Sequence, residues 1–284
     1  MKFSVIPISS SSEHRYHGDT IPKKKNTVIL DLSRMDKIIH IDKKNRVVMV
    51  EPGVTFKQLI PRLKKMGLRI MTPFQPRSSK SVLASALERV PTCIPRYHWD
   101  TSDPLLCTEV VFGTGKLFRT GSAAGPGRLK DMQRTGQAQV NPMGPTQFSP
   151  FRIIQGSQGS VGVVTWASLK LELLPTRQKV FQFHSQNLKE LLKVQHFLLK
   201  YRLCDELFIL NDLNLACLLK KDPDEILKLC KNLSKWNLIF ILSGRGELAR
   251  DRIAFQEGDI NELIEENGLT EFKRNKLIHD EEIL

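Results

Sequence analysis

The sequence predicts an α+β fold in two units, a turn-rich and strand-rich first part followed by a smaller part of strands alternating with helices. Three observations carry that expectation. A length of 284 residues is more than one small core requires. Thirteen of the 17 glycines and 14 of the 15 prolines fall in residues 1–175, leaving four and one for the remainder. Short apolar runs bounded by turn residues fill the first part, and longer helical periodicities fill the second. Pro175 closes the last strand-like run, so the expected domains are 1–175 and 176–284.

In the first part, Ile6-Pro7-Ile8 reads as a strand end entering Ser9–Ser12, and Thr27–Leu32 is a second apolar run. Lys37–Ile41 and Arg46–Val50 flank the turn sequence Asp42–Asn45, which predicts a hairpin. Thr55 caps a helix through Met66, with Phe56, Leu59, Ile60 and Leu63 on one face and Gly67 as its left-handed terminator. Val82–Leu87 is a short helix, and Thr108–Gly113 with Lys116–Thr120 a second hairpin. Gly121–Pro150 lacks periodicity and reads as a long loop, and Val163–Leu174 is β-rich. In the second part the strands are Val180–His184, Glu206–Leu210 and Asn237–Ser243. The helices there are Asn187–Tyr201, Pro223–Leu233 capped by Asp222, and Glu247–Glu266.

Composition removes several classes of function. No apolar run approaches the roughly 20 residues of a bilayer-spanning helix. Residues 1–12 lack the basic start and apolar core of a secretory signal, so the expected location is cytoplasmic, with peripheral attachment to a membrane as the alternative. The five cysteines show no C-x-x-C spacing and read as mostly buried thiols. The net charge of +13 suits an anionic cofactor and substrate. Nucleic acid is disfavoured, because the cations are scattered and only 7% of residues are aromatic. The histidines form no H-x-H or H-x-x-x-H pair, so no metal site is expected.

The familiar nucleotide motifs fail on spacing. Gly113-Thr114-Gly115-Lys116 is not a P-loop, and Gly156–Gly162 reads G-x-x-G-x-x-G before a strand rather than a dinucleotide fingerprint before a helix. Ser157 in G-S-Q-G lacks the spacing of a nucleophile elbow. Three other features keep two readings each. The Gly156–Gly162 glycines either form a plain turn or let backbone approach a flat or anionic ligand. The Ser9–Ser12 run is either a solvated terminus or a pyrophosphate loop. Pro73–Ser81 is either an exposed basic loop or a phosphate-facing one ahead of the Val82 helix.

Taken in order, these stretches resemble one family. Val28-Ile29-Leu30-Asp31-Leu32-Ser33-Arg34-Met35, Val48–Phe56, Glu109–Gly121 and Gly156–Thr165 are similar to four successive blocks of the PCMH-type FAD-binding domain. That is the domain of the vanillyl-alcohol-oxidase type, shared by glycolate oxidase, D-lactate dehydrogenase and alkylglycerone-phosphate synthase. The resemblance covers residues 5–175 and implies FAD as cofactor. It places Ser10, Ser11, Ser12 and Glu13 in the pyrophosphate loop, and Pro76, Ser81 and the Ser85 to Thr92 segment along the flavin. Gly156, Gly159, Val161, Gly162 and Val163 fall at the adenine end. His14 aligns with the histidine that some members bond covalently to the flavin, with Tyr16 and Gly18 around it.

Two departures stand out. Serines and a glutamate replace the pyrophosphate-loop glycines, and Leu83 and Ala84 stand where the family has a glycine pair. By the family pattern the chain lacks most of the N-terminal β-α-β subdomain, and 176–284 corresponds to part of an α/β cap. A split-gene subunit, a truncated paralogue or a fragment is therefore expected, with a complementary subunit as partner. The implied activity is FAD-dependent oxidation of a small 2-hydroxy acid such as lactate or glycolate by hydride transfer to flavin N5. The alternative is a noncatalytic truncated FAD-binding module acting as a partner subunit. Arg77, Lys80, Arg89 and Arg96 are expected to steer an anionic substrate or cofactor, and the base is unassigned, with Tyr97 and His98 as candidates.

Overall fold

The computed structural model describes residues 3–10, 21–90, 92–94, 103–125, 127–140, 142, 151–157 and 159–267. The chain divides into one unit of Met1–Thr92 with Asp103–Leu174, and a second of Cys93–Ser102 with Pro175–Leu284.

Among the described residues, the first unit contains two sheets. β1 (Ser4–Ile8) and β2 (Thr27–Asp31) pair in parallel, with Ser4 opposite Thr27. The larger sheet runs β3 (Ile38–Asp42), β4 (Val47–Val50), β8 (Gly162–Leu173), β6 (Leu105–Phe112) and β7 (Leu117–Arg119). β5 (Leu68–Ile70) pairs with the far end of β8. Both expected hairpins form, and Gly115 turns the second at φ 78°.

Helix α1 (Phe56–Lys65) follows β4 because Thr55 and Gln58 form a reciprocal capping box, satisfying two otherwise orphan amides. Its Phe56, Leu59 and Leu63 are buried among Val48, Val50, Leu68 and Leu169, and Gly67 ends it at φ 70°. α2 (Val82–Leu87) packs Val82, Leu83 and Ala86 into the same core. The stretch expected to be a loop holds a short helix, α3 (Leu129–Arg134), which buries one residue, Met132. A single buried side chain leaves no periodicity to read. α4 (Phe151–Ile154) then leads toward β8.

The second unit is built on β9 (Arg177–Ser185), β10 (Glu206–Asn211) and β11 (Trp236–Gly244). β11 lies in the middle and is antiparallel to both neighbours. Inserting β11 between β9 and β10 makes the expected α/β alternation an α+β layer rather than a parallel sheet. α5 (Leu188–Lys200) and α8 (Ala249–Glu266) pack with Phe181, Phe183 and Phe240 on one side. α6 (Asp212–Leu219) and α7 (Pro223–Cys230) pack around Ile239 on the other. β11 is buried along almost its whole length because both faces are covered. Sequence reading left α6 unassigned, since Asp212–Leu219 carries almost no amphipathic contrast.

No disulfide joins the cysteines. Cys107 and Cys204 are buried, Cys93 and Cys230 half-buried and Cys217 exposed, so fewer thiols are buried than expected.

Candidate functional site

The densest convergence of expected site residues lies where β1 ends. Ser10 Oγ accepts the backbone N–H of Ser81 at 3.1 Å, joining residues 71 apart in sequence. Ser81 is fully buried, donates its hydroxyl to the Pro52 carbonyl at 2.5 Å and accepts from Ala84 N at 3.0 Å as the α2 N-cap. One turn on, Ser85 Oγ is buried without a hydrogen-bond partner among the described residues. A buried unpaired hydroxyl costs free energy in the protein alone, which fits a position completed by a ligand.

The turn 52–54 that supports Ser81 explains the D-L-S-R-M and E-P-G-V-T blocks physically. Gly53 N donates to Met35 O at 2.7 Å, and a Cβ on Gly53 would lie 2.4 Å from the Ser33 carbonyl oxygen. Only glycine permits that approach. The loop 76–81 is in turn held on the start of α1, where Phe56 N and Lys57 N donate to the carbonyls of Lys80 and Ser78.

The glycine segment closes the other side. Gly159, at φ 80°, lies so near β1 that a Cβ would sit 2.6 Å from Pro7 Cγ. Gly156 N donates to Leu87 O at the end of α2, and Gly162 abuts the Val111 carbonyl. Val161 and Val163 flank it, half-buried, with Val163 opposite Val111 in β6. Ser10, Ser81, Ser85, Gly156 and Gly159 are thus gathered around β1 and α2. Pro76 stays in the preceding half-buried loop, and Thr92 pairs with Pro73 at the base of that loop.

Other expectations fall differently. Ser11, Ser12, Glu13, His14, Tyr16, Gly18, Arg96, Tyr97 and His98 lie outside the described residues. A phosphate at the start of α2 loses two of its donors, since Val82 N bonds Val54 O and Ala84 N bonds Ser81 Oγ. Lys80 is paired with Glu88 at 2.7 Å, which removes much of its pull on a distant anion. Leu83, at the absent glycine position, is fully buried core.

Sequence reasoning missed a buried polar support behind α2. Gln155 Nε2 donates to Asp103 Oδ2 at 2.7 Å and to Ala86 O at 3.4 Å, and Asp103 Oδ1 accepts Leu105 N. Burial lowers the pKa of nearby Lys170, and the Asp103 charge partly offsets this. Gln155 and Asp103 are 52 residues apart, so no motif spacing links them.

Residues 2–121 match the model of an FAD binding domain. The flavoprotein subunit of 4-cresol dehydrogenase [hydroxylating] from Pseudomonas putida is 32% identical over 128 residues, 44% of this chain and 24% of that protein. Glycolate oxidase subunit GlcD from Bacillus subtilis is 28% identical over 165 residues, 57% of this chain and 31% of that protein. The chain therefore spans about a quarter to a third of the length of these curated relatives. In fold it matches p-cresol methylhydroxylase with substrate bound, at a TM-score of 0.73 and 20% identity, over 94% of this chain and 52% of that one.

The matched FAD binding domain defines a flavin-binding protein. Residues 2–121 are an FAD binding domain whose cofactor is FAD, and the chain is similar to PCMH-type FAD-linked oxidoreductases.

Proposed function

We propose that the chain is the flavin-binding part of an FAD-dependent oxidoreductase acting on a small 2-hydroxy acid such as lactate or glycolate. The observation that carries the reading is the buried, unpaired Ser85 hydroxyl beside the Ser10–Ser81 bond, inside a domain of FAD-binding type. When bound, FAD supplies a hydride acceptor at N5. The chain's own residues would hold and orient it. Ser81 and Ser85 line one side, and Ser10 fixes the end of β1, with Ser11, Ser12, Glu13 and His14 next in sequence. Gly156, Gly159, Val161, Gly162 and Val163 bring backbone close on the other side, with Pro76 and Thr92 in the bordering segments. Burial of α2 against the core keeps water from the Ser85 side, and the net positive charge draws in an anionic substrate.

A second substrate class has a specific observation behind it. The 32% identity to the 4-cresol dehydrogenase subunit supports a phenol such as 4-cresol as the alternative substrate. It is named a flavoprotein subunit, which supports a partner chain here.

The visible absorption spectrum of the purified chain with added FAD tests the proposal. A flavin spectrum that bleaches with D-lactate or glycolate supports the hydroxy-acid reading, and bleaching with 4-cresol alone selects the phenol. Colour retained in an acid pellet implicates His14. FAD uptake without bleaching by any of them leaves the noncatalytic module acting as a partner subunit. A chain that takes up no FAD overturns the flavoenzyme reading.

A further inference from the structure

We propose that Gln155 is a positioning residue for the cofactor, whose buried side-chain amide holds the Ser85 hydroxyl and the Gly156–Gly162 segment at a fixed separation. The inference rests on the flavin reading above and deepens it. Helix α2 has only six residues, and a helix that short has little stability of its own. Its orientation depends on what holds its two ends. At the first end this is Ser81, tied to Pro52 and Ser10. At the other end the carbonyls of Ala86 and Leu87 are held by consecutive residues of the glycine segment. Ala86 O accepts Gln155 Nε2 at 3.4 Å, and Leu87 O accepts Gly156 N at 2.7 Å. Ser85, whose hydroxyl has no partner among the described residues, immediately precedes Ala86. Its own N–H and carbonyl are bonded to Ser81 O and Val90 N, so its place follows from the two ends of the helix.

Gln155 is itself anchored to the central sheet. Its Nε2 donates to Asp103 Oδ2 at 2.7 Å, and Asp103 Oδ1 accepts Leu105 N where β6 begins. Between them, Pro104 O accepts Lys170 N of β8 at 2.7 Å. The two partners of Nε2 are a carboxylate and a carbonyl, which only accept, so the position requires two N–H donors on one atom. An amide supplies them, whereas a carboxylate of the same shape would set oxygen against oxygen on both sides. Gln155 is 7% exposed, so water does not readily replace either bond. The chain that grips α2 then runs on to Gly159, which abuts Pro7 of β1. One buried amide therefore links the sheet, α2 and the glycine segment, the parts that hold both sides of the proposed cofactor position.

A double-mutant cycle on the full chain, read by fluorescence titration with FAD, tests this. Gln155→Met removes both donors at similar length and is expected to weaken FAD binding about tenfold. Gln155→Glu is expected to weaken it further. Ser85→Ala, expected to cost about 3- to 10-fold in the wild type, should cost less than about twofold in Gln155→Met, because the hydroxyl is already displaced. A residue that only stabilised the fold would lower the melting temperature and leave the Ser85→Ala loss unchanged. Asp103→Asn provides a second background if Gln155→Met folds poorly. Asp103 is half-buried, and its amide variant keeps the shape while turning one of the two accepting oxygens into a donor. The Ser85→Ala loss is expected to shrink there too. Additive losses in these backgrounds, or wild-type FAD affinity in Gln155→Met, would overturn the proposal and leave the flavin reading intact. A wild-type chain that takes up no FAD would overturn both, so the two failures are distinguishable.

Discussion

Ser81 and Ser85 sit four residues apart on one short helix, yet the structure gives them opposite energetic roles. The Ser81 hydroxyl satisfies Ala84 N and Pro52 O at once, so Ser81→Ala is expected to cost about 1–2 kcal/mol of stability, read by urea unfolding. Ser85 satisfies nothing among the described residues. Ser85→Ala is therefore expected to leave the unliganded stability unchanged or slightly raised, while weakening FAD binding about 3- to 10-fold in a fluorescence titration. A third residue concerns pH. Burial, with Glu206 adding to it, pushes the Cys93 thiol from 9.0 up to about 11. A thiol whose folded pKa lies above its unfolded value contributes stability that is fully present below pH 9.0 and lost as pH rises through about 11. Melting curves across that window are expected to show the loss in the wild type and a smaller one in Cys93→Ser.

Among the elements, α1 shows most directly how local chemistry and packing combine. Its capping box and its Phe56, Leu59, Leu63 stripe are sufficient to start and orient it, despite Pro61 in its interior. Proline removes one main-chain donor and crowds the preceding turn. Pro61 is exposed, so Pro61→Ala is expected to raise stability by about 1–3 kcal/mol without touching the core, seen as a higher melting temperature. The neighbouring turn behaves in the opposite sense. Gly53→Ala would drive a Cβ into the carbonyls of Leu32, Ser33 and Met35, and is expected to cost about 1–3 kcal/mol. Because that turn supplies the Pro52 carbonyl that holds Ser81, FAD affinity is expected to fall with it.

At the scale of the molecule, each unit has its own core. The first is centred on Val48, Leu59, Leu83 and Leu169, and the second on Phe183, Leu191, Leu238 and Phe240. The proposed cofactor residues described here all lie in the first unit. FAD at about 100 times its Kd is therefore expected to add about 2.7 kcal/mol of hydrogen-exchange protection to the β4, β6 and β8 amides. The β9–β11 amides should gain none. Equal protection of both units would show that the second also contacts the cofactor.

Much was legible in the sequence because it is local. The Thr55 cap, the i, i+3, i+4, i+7 spacing after it, the Gly67 stop and the Asp42–Asn45 turn each depend on residues within one or two turns of one another. The cofactor class came from the resemblance of the ordered blocks to a known family, and within one block Gly53 is the one residue type its crowded backbone contact allows. What only tertiary structure decided is long-range. The Ser10–Ser81 bond spans 71 residues and the Gln155–Asp103 bond 52, and neither has a spacing signature. The central place of β11 and the unpaired state of Ser85 likewise depend on which distant segments pack against them. Local sequence sets backbone conformation through sterics and nearby hydrogen bonds, but pairing and burial are settled only when remote parts of the chain meet.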